Sequence, residues 1–395
     1  MATPEPLKPR EIDWVARARK VAPLIASHAG RTEREGKVTQ EVMAAMHEAE
    51  LFRLCLPRSM GGGEASPMTL SGVVSTVSAA DASTAWCLGQ GLGCSLSAAF
   101  LAPDVASEIF GAPDSVLAWG PFNTSGHVAK VDGGYRLTGR WSYASGIRNA
   151  TWFGAHTMET GRDGKPLLNP DGRPHTRTLL FPAATATVDP VWDTIGLTGT
   201  GSDDYEVEDL FVPEAYSFLR DHEPDRRETG PLYRIALTAF YGMTFASVAL
   251  GIARATLDEF IALAAAKTAS HTAGTLRDGT AVQSDVALAE GHLGASRAYL
   301  LETMEEIWHV LGRGDALDLD RRARLRIACA YASGRAREVV AMAYHRAGAT
   351  AIHAANPFER RFRDMNTVSQ QIQAAPSNLE HAGMAILGLE PGGRV

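Results

Sequence analysis

The stretch GRWSYASGIRNATW, Gly139 to Trp152, lies near the middle of the chain, inside a zone that decides the fold class. Upstream, Asp132–Gly134 separates two short segments of strand-forming residues, which is a β-hairpin signal. Downstream, strands are predicted at 177–181 and 205–212, and the second begins by alternating apolar and acidic residues. Such alternation indicates a sheet with one face buried and one in solvent.

Helical periodicity precedes this zone. Between Thr39 and Leu51, apolar residues recur at spacings of three and four, as on one face of an amphipathic helix. Ser66 and Pro67 predict a helix start, with serine as the N-cap and proline as the first helical residue. The stretch 83–101 is small and apolar, which predicts burial on most of its sides.

Helical periodicity also returns after the strand zone. Three long helices are predicted, at 237–265, 282–311 and 319–347. A last helix is predicted to begin after Asn356-Pro357 and to run past Gln373. The arginine-rich run Asp320–Arg326 is interpreted as the solvated face of a helix.

The predicted fold class is therefore mostly α with a central β domain. We expect an N-terminal helical domain at 1–113, a middle β domain at 114–228 and a C-terminal helical domain at 229–395. A Rossmann fold is excluded, because strands and helices do not alternate and no GxGxxG motif follows a strand.

Composition narrows the setting in which the protein works. Lys and Arg number 38 against 45 Asp and Glu, and the resulting net charge of −7 offers no broad surface for nucleic acid. The four cysteines form no CxxC pair, as is typical of a reducing compartment. No run of about 18 apolar residues and no apolar leader occurs, so we expect a cytoplasmic protein without a membrane span.

Two kinds of chemistry find no support in the sequence. The twelve histidines show no HxxxH or HExxH spacing, so no metal site is predicted. No GxSxG motif is present, which disfavours a hydrolase.

The order of the zones resembles the acyl-CoA dehydrogenase superfamily, and four motifs in family order strengthen this resemblance. They are the 139–152 stretch, the glycine-rich turn Gly199–Tyr205, the Gln283 to Leu288-Ala289-Glu290 pattern and Arg363-Asp364. The resemblance implies a helical N-domain, a β-sandwich or barrel in the middle and a C-terminal four-helix bundle. It also implies a homotetramer, because a neighbouring subunit completes the flavin sites of this family.

Acyl-CoA dehydrogenation itself is disfavoured, because that reaction needs a carboxylate base. The two positions where the family places its base are occupied by Ile372 and Tyr241. The family's arginine signature for flavin pyrophosphate is replaced by Ser270–Thr275. The run DASTAW, Asp81 to Trp86, and the pair Ser145-Gly146 resemble instead the flavin-dependent monooxygenase branch of the superfamily.

The resemblance implies roles for particular residues. Ser145 is expected to hydrogen-bond the flavin N5 region as a catalytic residue. Further flavin contacts are expected from Trp152, from the loop Trp119–Asn123 with Trp119 and Gly120, from Thr200 and Ser202, and from Gln283. The substrate pocket is expected to be formed by Trp86, Phe122, Phe240 and Tyr241.

Gln371 occupies the position where many members of the branch carry a histidine, and it is the second expected catalytic residue. A glutamine donates and accepts hydrogen bonds but does not exchange protons at neutral pH. It would position a substrate or peroxide without acting as a base. This favours a substrate that is nucleophilic when neutral, such as an indole or an amine, over a phenol that must be deprotonated.

The resemblance thus implies the oxygenase component of a two-component monooxygenase. Reduced flavin, FADH2 in preference to FMNH2, would come from a separate reductase, and O2 would form a flavin C4a-hydroperoxide that hydroxylates a small aromatic substrate. Three alternatives stay open: an acyl-CoA dehydrogenase or oxidase with an unusual base, an amine-oxidising nitroso synthase, and an inactive scaffold.

Overall fold

The computed structural model of the protein describes residues 12–122, 126–159, 165, 167–168, 176–219, 222–268 and 274–391. Within these ranges, helices come first, a sheet follows, and helices return. No helix among the described residues is both long and apolar enough to cross a membrane. Asn123 and most of the segment that replaces the arginine signature, 269–273, lie outside the described residues.

The N-terminal part contains the helices α1 (Trp14–Glu35), α2 (Gln40–Glu48), α3 (Pro67–Ala80), α4 (Ala82–Ser95) and α5 (Pro103–Phe110). The predicted start of α3 is confirmed, since the Ser66 side chain accepts a hydrogen bond from the Thr69 backbone N–H. Asp81 caps α4 in the same way. Almost every residue of α4 is buried, as its small, apolar composition predicts.

Eight strands follow in the part of the chain that the structure describes: β1 (Leu117–Trp119), β2 (His127–Val131), β3 (Gly134–Ala144), β4 (Trp152–Glu159), β5 (Thr176–Pro182), β6 (Thr187–Asp189), β7 (Asp203–Pro213) and β8 (Ser217–Leu219). They form one mixed sheet in the order β6-β7-β3-β2-β4-β5-β8, with β1 parallel to β4. The predicted hairpin is confirmed as the antiparallel pair β2–β3. In β7, Tyr205 and Val207 are buried while Glu206 and Glu208 are exposed, as the alternation predicts.

The C-terminal part contains α6 (Leu237–Ala266), α7 (Thr280–Gly312), α8 (Leu319–Ala347), α9 (Pro357–Val368) and α10 (Ser377–Ile386). The first three match the predicted long helices. The prediction of one last helix running past Gln373 was wrong, because α9 ends at Val368 and a 3-10 turn, Ile372–Ala374, precedes α10.

Pro376 prevents α9 and α10 from forming one continuous helix. Proline has no backbone N–H, and its ring clashes with the carbonyl four residues earlier in a continuous helix. That carbonyl belongs to Ile372, and its oxygen instead accepts a hydrogen bond from Asn378 Nδ2 at 2.7 Å. The break leaves Gln371 in an extended conformation at the start of the turn.

Two hydrophobic cores organise the molecule. The larger one joins helices from both ends of the chain, with α3 packed along α6 and α6 packed along α8. The smaller one lies within the sheet around Trp141, Phe153 and Tyr205. The site residues predicted from the sequence fall mainly where α4, α6 and the sheet meet.

Candidate active site

Ser145 follows the end of β3, at a point where the backbone turns sharply. The β3–β7 pairing shifts register between Trp141 and Ala144, which is the irregularity of a β-bulge. Tyr143 and Gly146 on either side have positive φ angles of 58° and 78°. This turn places the Ser145 side chain against α4, where its oxygen accepts a hydrogen bond from Trp86 Nε1 at 2.9 Å.

Ser145 is the first hydroxyl of a buried chain of three. Its oxygen lies 2.7 Å from Ser202 Oγ, and Ser202 Oγ lies 2.7 Å from Thr200 Oγ1. Thr200 Oγ1 donates to the Leu197 carbonyl oxygen at 2.8 Å. The antiparallel pairing of Ala144 with Asp203 brings the two segments together.

The direction of every hydrogen bond in this chain is determined. A hydroxyl carries one proton, and a carbonyl oxygen only accepts. Because Thr200 donates to Leu197, Ser202 must donate to Thr200, and Ser145 must donate to Ser202. With Trp86 donating to one lone pair of Ser145, that oxygen keeps one acceptor position and has no proton left to donate.

Aromatic side chains surround this hydroxyl on the α4–α6 side. Trp86 stacks on Phe245 with ring centroids 3.8 Å apart, and Phe245 stacks on Tyr241 at 5.4 Å. Trp119 Nε1 donates to the Tyr241 hydroxyl at 3.1 Å. The structure therefore brings together four of the residues singled out in the sequence: Ser145, Trp86, Trp119 and Tyr241.

Other predicted residues have different surroundings. Phe240 is fully buried in the helical core. Trp152 stacks on Tyr216 with centroids 5.9 Å apart, and Phe122 is half-buried beyond β1. Gln283 is exposed on the first turn of α7, where its Nε2 donates to the Arg277 carbonyl oxygen. The role of Gln283 as a flavin contact stays a prediction.

Gly120 allows a close approach of two strands. A Cβ atom at this position would lie 2.2 Å from the Ser142 carbonyl oxygen, so no larger residue fits. The glycine thereby holds the loop after β1 against the end of β3, which leads into Ser145.

Gln371 presents an unsatisfied acceptor. Its Oε1 atom is buried and has no hydrogen-bond partner among the described residues. A buried polar atom without a partner costs about 1–3 kcal/mol, so such an atom indicates a missing ligand or water. This acceptor, like the open acceptor position on Ser145, suits a ligand that carries N–H donors.

A cavity of about 580 Å³ lies between α6, α8 and the turn that follows Gln371. Its lining includes Phe100, Tyr233, Ile235, Gly242, Ile372, Gln373 and Asn378. A narrow space that shares Phe100, Tyr233 and Ile235 extends towards Trp119. None of the four residues predicted to form the substrate pocket lines this cavity, since Tyr241 and Phe240 precede Gly242 on other faces of α6.

Four arginines also line the cavity, namely Arg226, Arg234, Arg322 and Arg326. For Arg326 the interpretation as part of a solvated helix face was wrong, because this side chain is half-buried. The signal in the sequence is the spacing of four residues between Arg322 and Arg326, which places both on one helix face. It could have indicated that the two arginines line the same cavity.

Two buried carboxylates anchor the turn 197–203 that carries Thr200 and Ser202. Asp203 is fully buried and pairs with Arg148 through two hydrogen bonds of 2.5 and 3.0 Å. Asp364 accepts from the Leu197 N–H at 2.7 Å, which ties this turn to α9. Burial, and the nearby Asp81 carboxyl, raise the pKa of Asp364 to about 7.

Comparison with known proteins identifies the class that this fold and site define. The acyl-CoA dehydrogenase N-terminal domain matches residues 14–102, and the acyl-CoA dehydrogenase C-terminal domain matches residues 243–376. The chain belongs to the acyl-CoA dehydrogenase family.

Its relatives within the family are monooxygenases. An indole-3-acetate monooxygenase from Pseudomonas putida is 32% identical over 92% of this chain and 90% of that protein. The oxygenase component of an FADH2-dependent resorcinol hydroxylase from Rhizobium sp. is 26% identical over 99% and 98% of the two chains. The structure of XiaF from Streptomyces sp. in complex with FADH2 and glycerol is 26% identical, covers 96% of both chains and has a TM-score of 0.87.

These relatives confirm the predicted branch. The chain is a flavin-dependent monooxygenase of the acyl-CoA dehydrogenase family. The expectation of a reduced flavin agrees with the relatives whose names state the cofactor.

Proposed function

We propose that the chain is the oxygenase component of a cytoplasmic two-component system, which hydroxylates an electron-rich aromatic compound of the indole or phenol type. A separate reductase would supply reduced flavin by diffusion. The observation that carries the proposal is the oriented hydroxyl chain, which ends in an acceptor on Ser145 beside an aromatic wall. The two cited relatives with named substrates act on an indole acid and on resorcinol.

Bound reduced flavin supplies the activation of O2, with one oxygen atom going to the substrate and the other to water. FAD is favoured because XiaF and the resorcinol hydroxylase use its reduced form. Ser145, Trp152, Trp119, Gly120, Thr200 and Ser202 would hold this cofactor.

Ser145 would hold the reduced ring, because its open acceptor position suits the N5–H donor of reduced flavin. Besides helping to hold the cofactor, Ser202 and Thr200 would keep the Ser145 proton directed towards Ser202 and away from the ring. Oxidised flavin has no proton at N5 and gains no such bond. The site would therefore bind the reduced state more tightly than the oxidised one.

The aromatic wall keeps water from the reacting atoms. Trp86, Phe245 and Tyr241 stack in series. The polar atoms of this wall are already engaged, since Trp86 Nε1 donates to Ser145 and the Tyr241 hydroxyl accepts from Trp119. Exclusion of water suppresses the loss of hydrogen peroxide that would otherwise waste reduced flavin.

Gln371 positions the substrate or the oxygen being transferred, through its amide. It does not remove a proton, so the substrate must react in its neutral form. An indole ring meets this condition better than a phenol does. Ile372 and Tyr241 offer no carboxylate for the competing acyl-CoA dehydrogenation.

The decisive experiment mixes the protein anaerobically with photoreduced FAD or FMN and then with O2. We expect a delay before the absorbance of oxidised flavin appears, and hydroxylated product when indoles are added. The proposal would be contradicted if the flavin were oxidised immediately with every substrate tested. If an acyl-CoA also reduced the bound flavin, the protein would be an acyl-CoA dehydrogenase.

A further inference from the structure

The basic residues of the cavity differ in how they are neutralised. Arg226 pairs with Glu223 at 2.9 Å, and the same carboxylate lies 3.9 Å from Arg234. On α8, Arg321 and Arg324 both pair with Glu306 of α7, outside the cavity lining. Arg326 has no carboxylate within 4.0 Å among the described residues.

The one side-chain hydrogen bond of Arg326 goes to a neutral group. Its Nη1 atom donates to Asn378 Oδ1 at 2.7 Å. A guanidinium has five N–H donors in a planar fork, so most of them stay available in the cavity. Burial, and the positive charge of Arg322, lower the pKa of Arg326.

Arg322 lies one helical turn before Arg326 and lines the same cavity. Like charges four residues apart on a helix repel each other. An anion bound to Arg326 would offset the effect of Arg322 on the charge of Arg326. Arginine pairs with a carboxylate through two parallel hydrogen bonds, which makes that group the best match for a planar fork.

The rest of the cavity suits an aromatic body. Its volume lies in the range of small-molecule sites, and Phe100, Tyr233, Ile235 and Leu325 provide apolar surface. The cavity also reaches Ile372 and Gln373, directly after Gln371. One molecule would therefore meet the basic side and the turn that begins at Gln371.

We infer that this cavity binds an aromatic acid, with its carboxylate on Arg326 and its ring on the apolar side. The inference rests on the proposed function, whose substrate class it narrows from aromatic compounds to aromatic carboxylates. Asn378 connects the two ends, since it accepts from Arg326 and donates to the Ile372 carbonyl oxygen at 2.7 Å. A bound carboxylate thus also steadies the turn that begins at Gln371.

The test compares acids with their neutral amides. Dissociation constants for indole-3-acetate, phenylacetate and benzoate, and for the three amides, are measured by calorimetry in anaerobic protein saturated with reduced FAD. At least one acid should bind about tenfold to a hundredfold more tightly than its amide, as expected for hydrogen bonds to a charged group. If no acid binds better than its amide, the inference is overturned.

Variants of α8 then locate the effect. In Arg326→Gln the ratio of acid to amide affinity should fall to about one. Arg326→Lys keeps the positive charge but lacks the planar guanidinium, so part of the preference for acid over amide should remain. This variant distinguishes loss of the charge from a general disturbance of the structure. Arg337→Gln is the matched control, an exposed arginine of the same helix outside the cavity lining, and should leave the ratio unchanged.

The outcomes separate the two proposals. Acid binding that depends on Arg326, without delayed flavin oxidation, would support the carboxylate site and contradict the monooxygenase mechanism. Delayed flavin oxidation, together with a ratio of acid to amide affinity that Arg326→Gln does not change, would support the monooxygenase mechanism and contradict the carboxylate site. Tighter binding of phenyl phosphate than of every acid would also overturn the inference, because the site would then select phosphate.

Discussion

At the scale of single residues, the oxygen of Ser145 has one acceptor position left for a ligand. Ser145→Ala removes this acceptor. The amount of hydrogen peroxide released per reduced flavin consumed should rise by about tenfold, because one good hydrogen bond is lost. Peroxide and product are measured in the same reaction. Ser78→Ala removes a buried hydroxyl elsewhere, bonded to the Val248 carbonyl oxygen, and should leave the partition unchanged.

Ser202 determines which way the Ser145 proton points. In Ser202→Ala, Ser145 loses its acceptor, and its proton becomes available for N5 of oxidised flavin. We expect the preference for reduced over oxidised FAD to shrink, mainly because oxidised FAD binds more tightly. Dissociation constants of the two redox states provide the measurement, and an unchanged ratio would show that the hydroxyl chain does not select the redox state.

At the scale of elements, the buried ion pair Arg148–Asp203 joins the segment after β3 to the start of β7. Arg148→Ala leaves a fully buried carboxylate without its cation, which should cost about 3–5 kcal/mol of unfolding free energy. Arg136→Ala is the matched comparison, because it removes an arginine that pairs with Asp209 at the surface of the same two strands. Chemical denaturation should show little change there, and equal losses in both variants would contradict the assignment.

Asp364 gives the link between α9 and the turn at Leu197 a pH dependence. Its pKa is raised from an ordinary 3.8 to about 7, so the folded state holds a proton that the unfolded state releases. This contribution to stability is complete below about pH 4 and is lost as the pH rises to about 7. Asp81 and Glu33 strengthen the shift, and Arg360 opposes it.

Asp364→Asn keeps an oxygen for the Leu197 N–H but removes the titration. The difference in unfolding free energy between variant and parent should therefore move in favour of the variant from pH 4 to pH 7. Thermal or chemical unfolding across this range measures the difference. A constant difference would mean that Asp364 titrates alike in both states.

At the scale of the whole molecule, apolar side chains stay exposed near the C-terminus. Ile372, Ile386, Leu387 and Leu389 are each more than half exposed in the single chain. Clusters of exposed apolar residues mark contact surfaces. We predict a homotetramer by light scattering, and Leu387→Asp should lower the mass of the assembly. A monomer at micromolar concentration would contradict this.

The class of fold was predictable because local signals repeat along the chain. Three signals each act over a few residues: the period of the apolar residues, the Asp132–Gly134 turn and the Ser66-Pro67 cap. The structure contains the hairpin and the helix start that the last two predict. The break before α10 also has a local signal, because Pro376 is visible in the sequence. A prediction that included this proline would have ended the last helix before it.

The sequence by itself determined the order of elements and the family, and it singled out Ser145 as a candidate site residue. Only the tertiary structure decided what that hydroxyl and the arginines can do. The direction of the Ser145 hydrogen bonds depends on Ser202, Thr200 and Trp86, which lie far from it along the chain or on another strand. The half-buried state of Arg326 depends on how α6 and the turn before α10 pack against α8, and no local pattern encodes a contact made between distant segments.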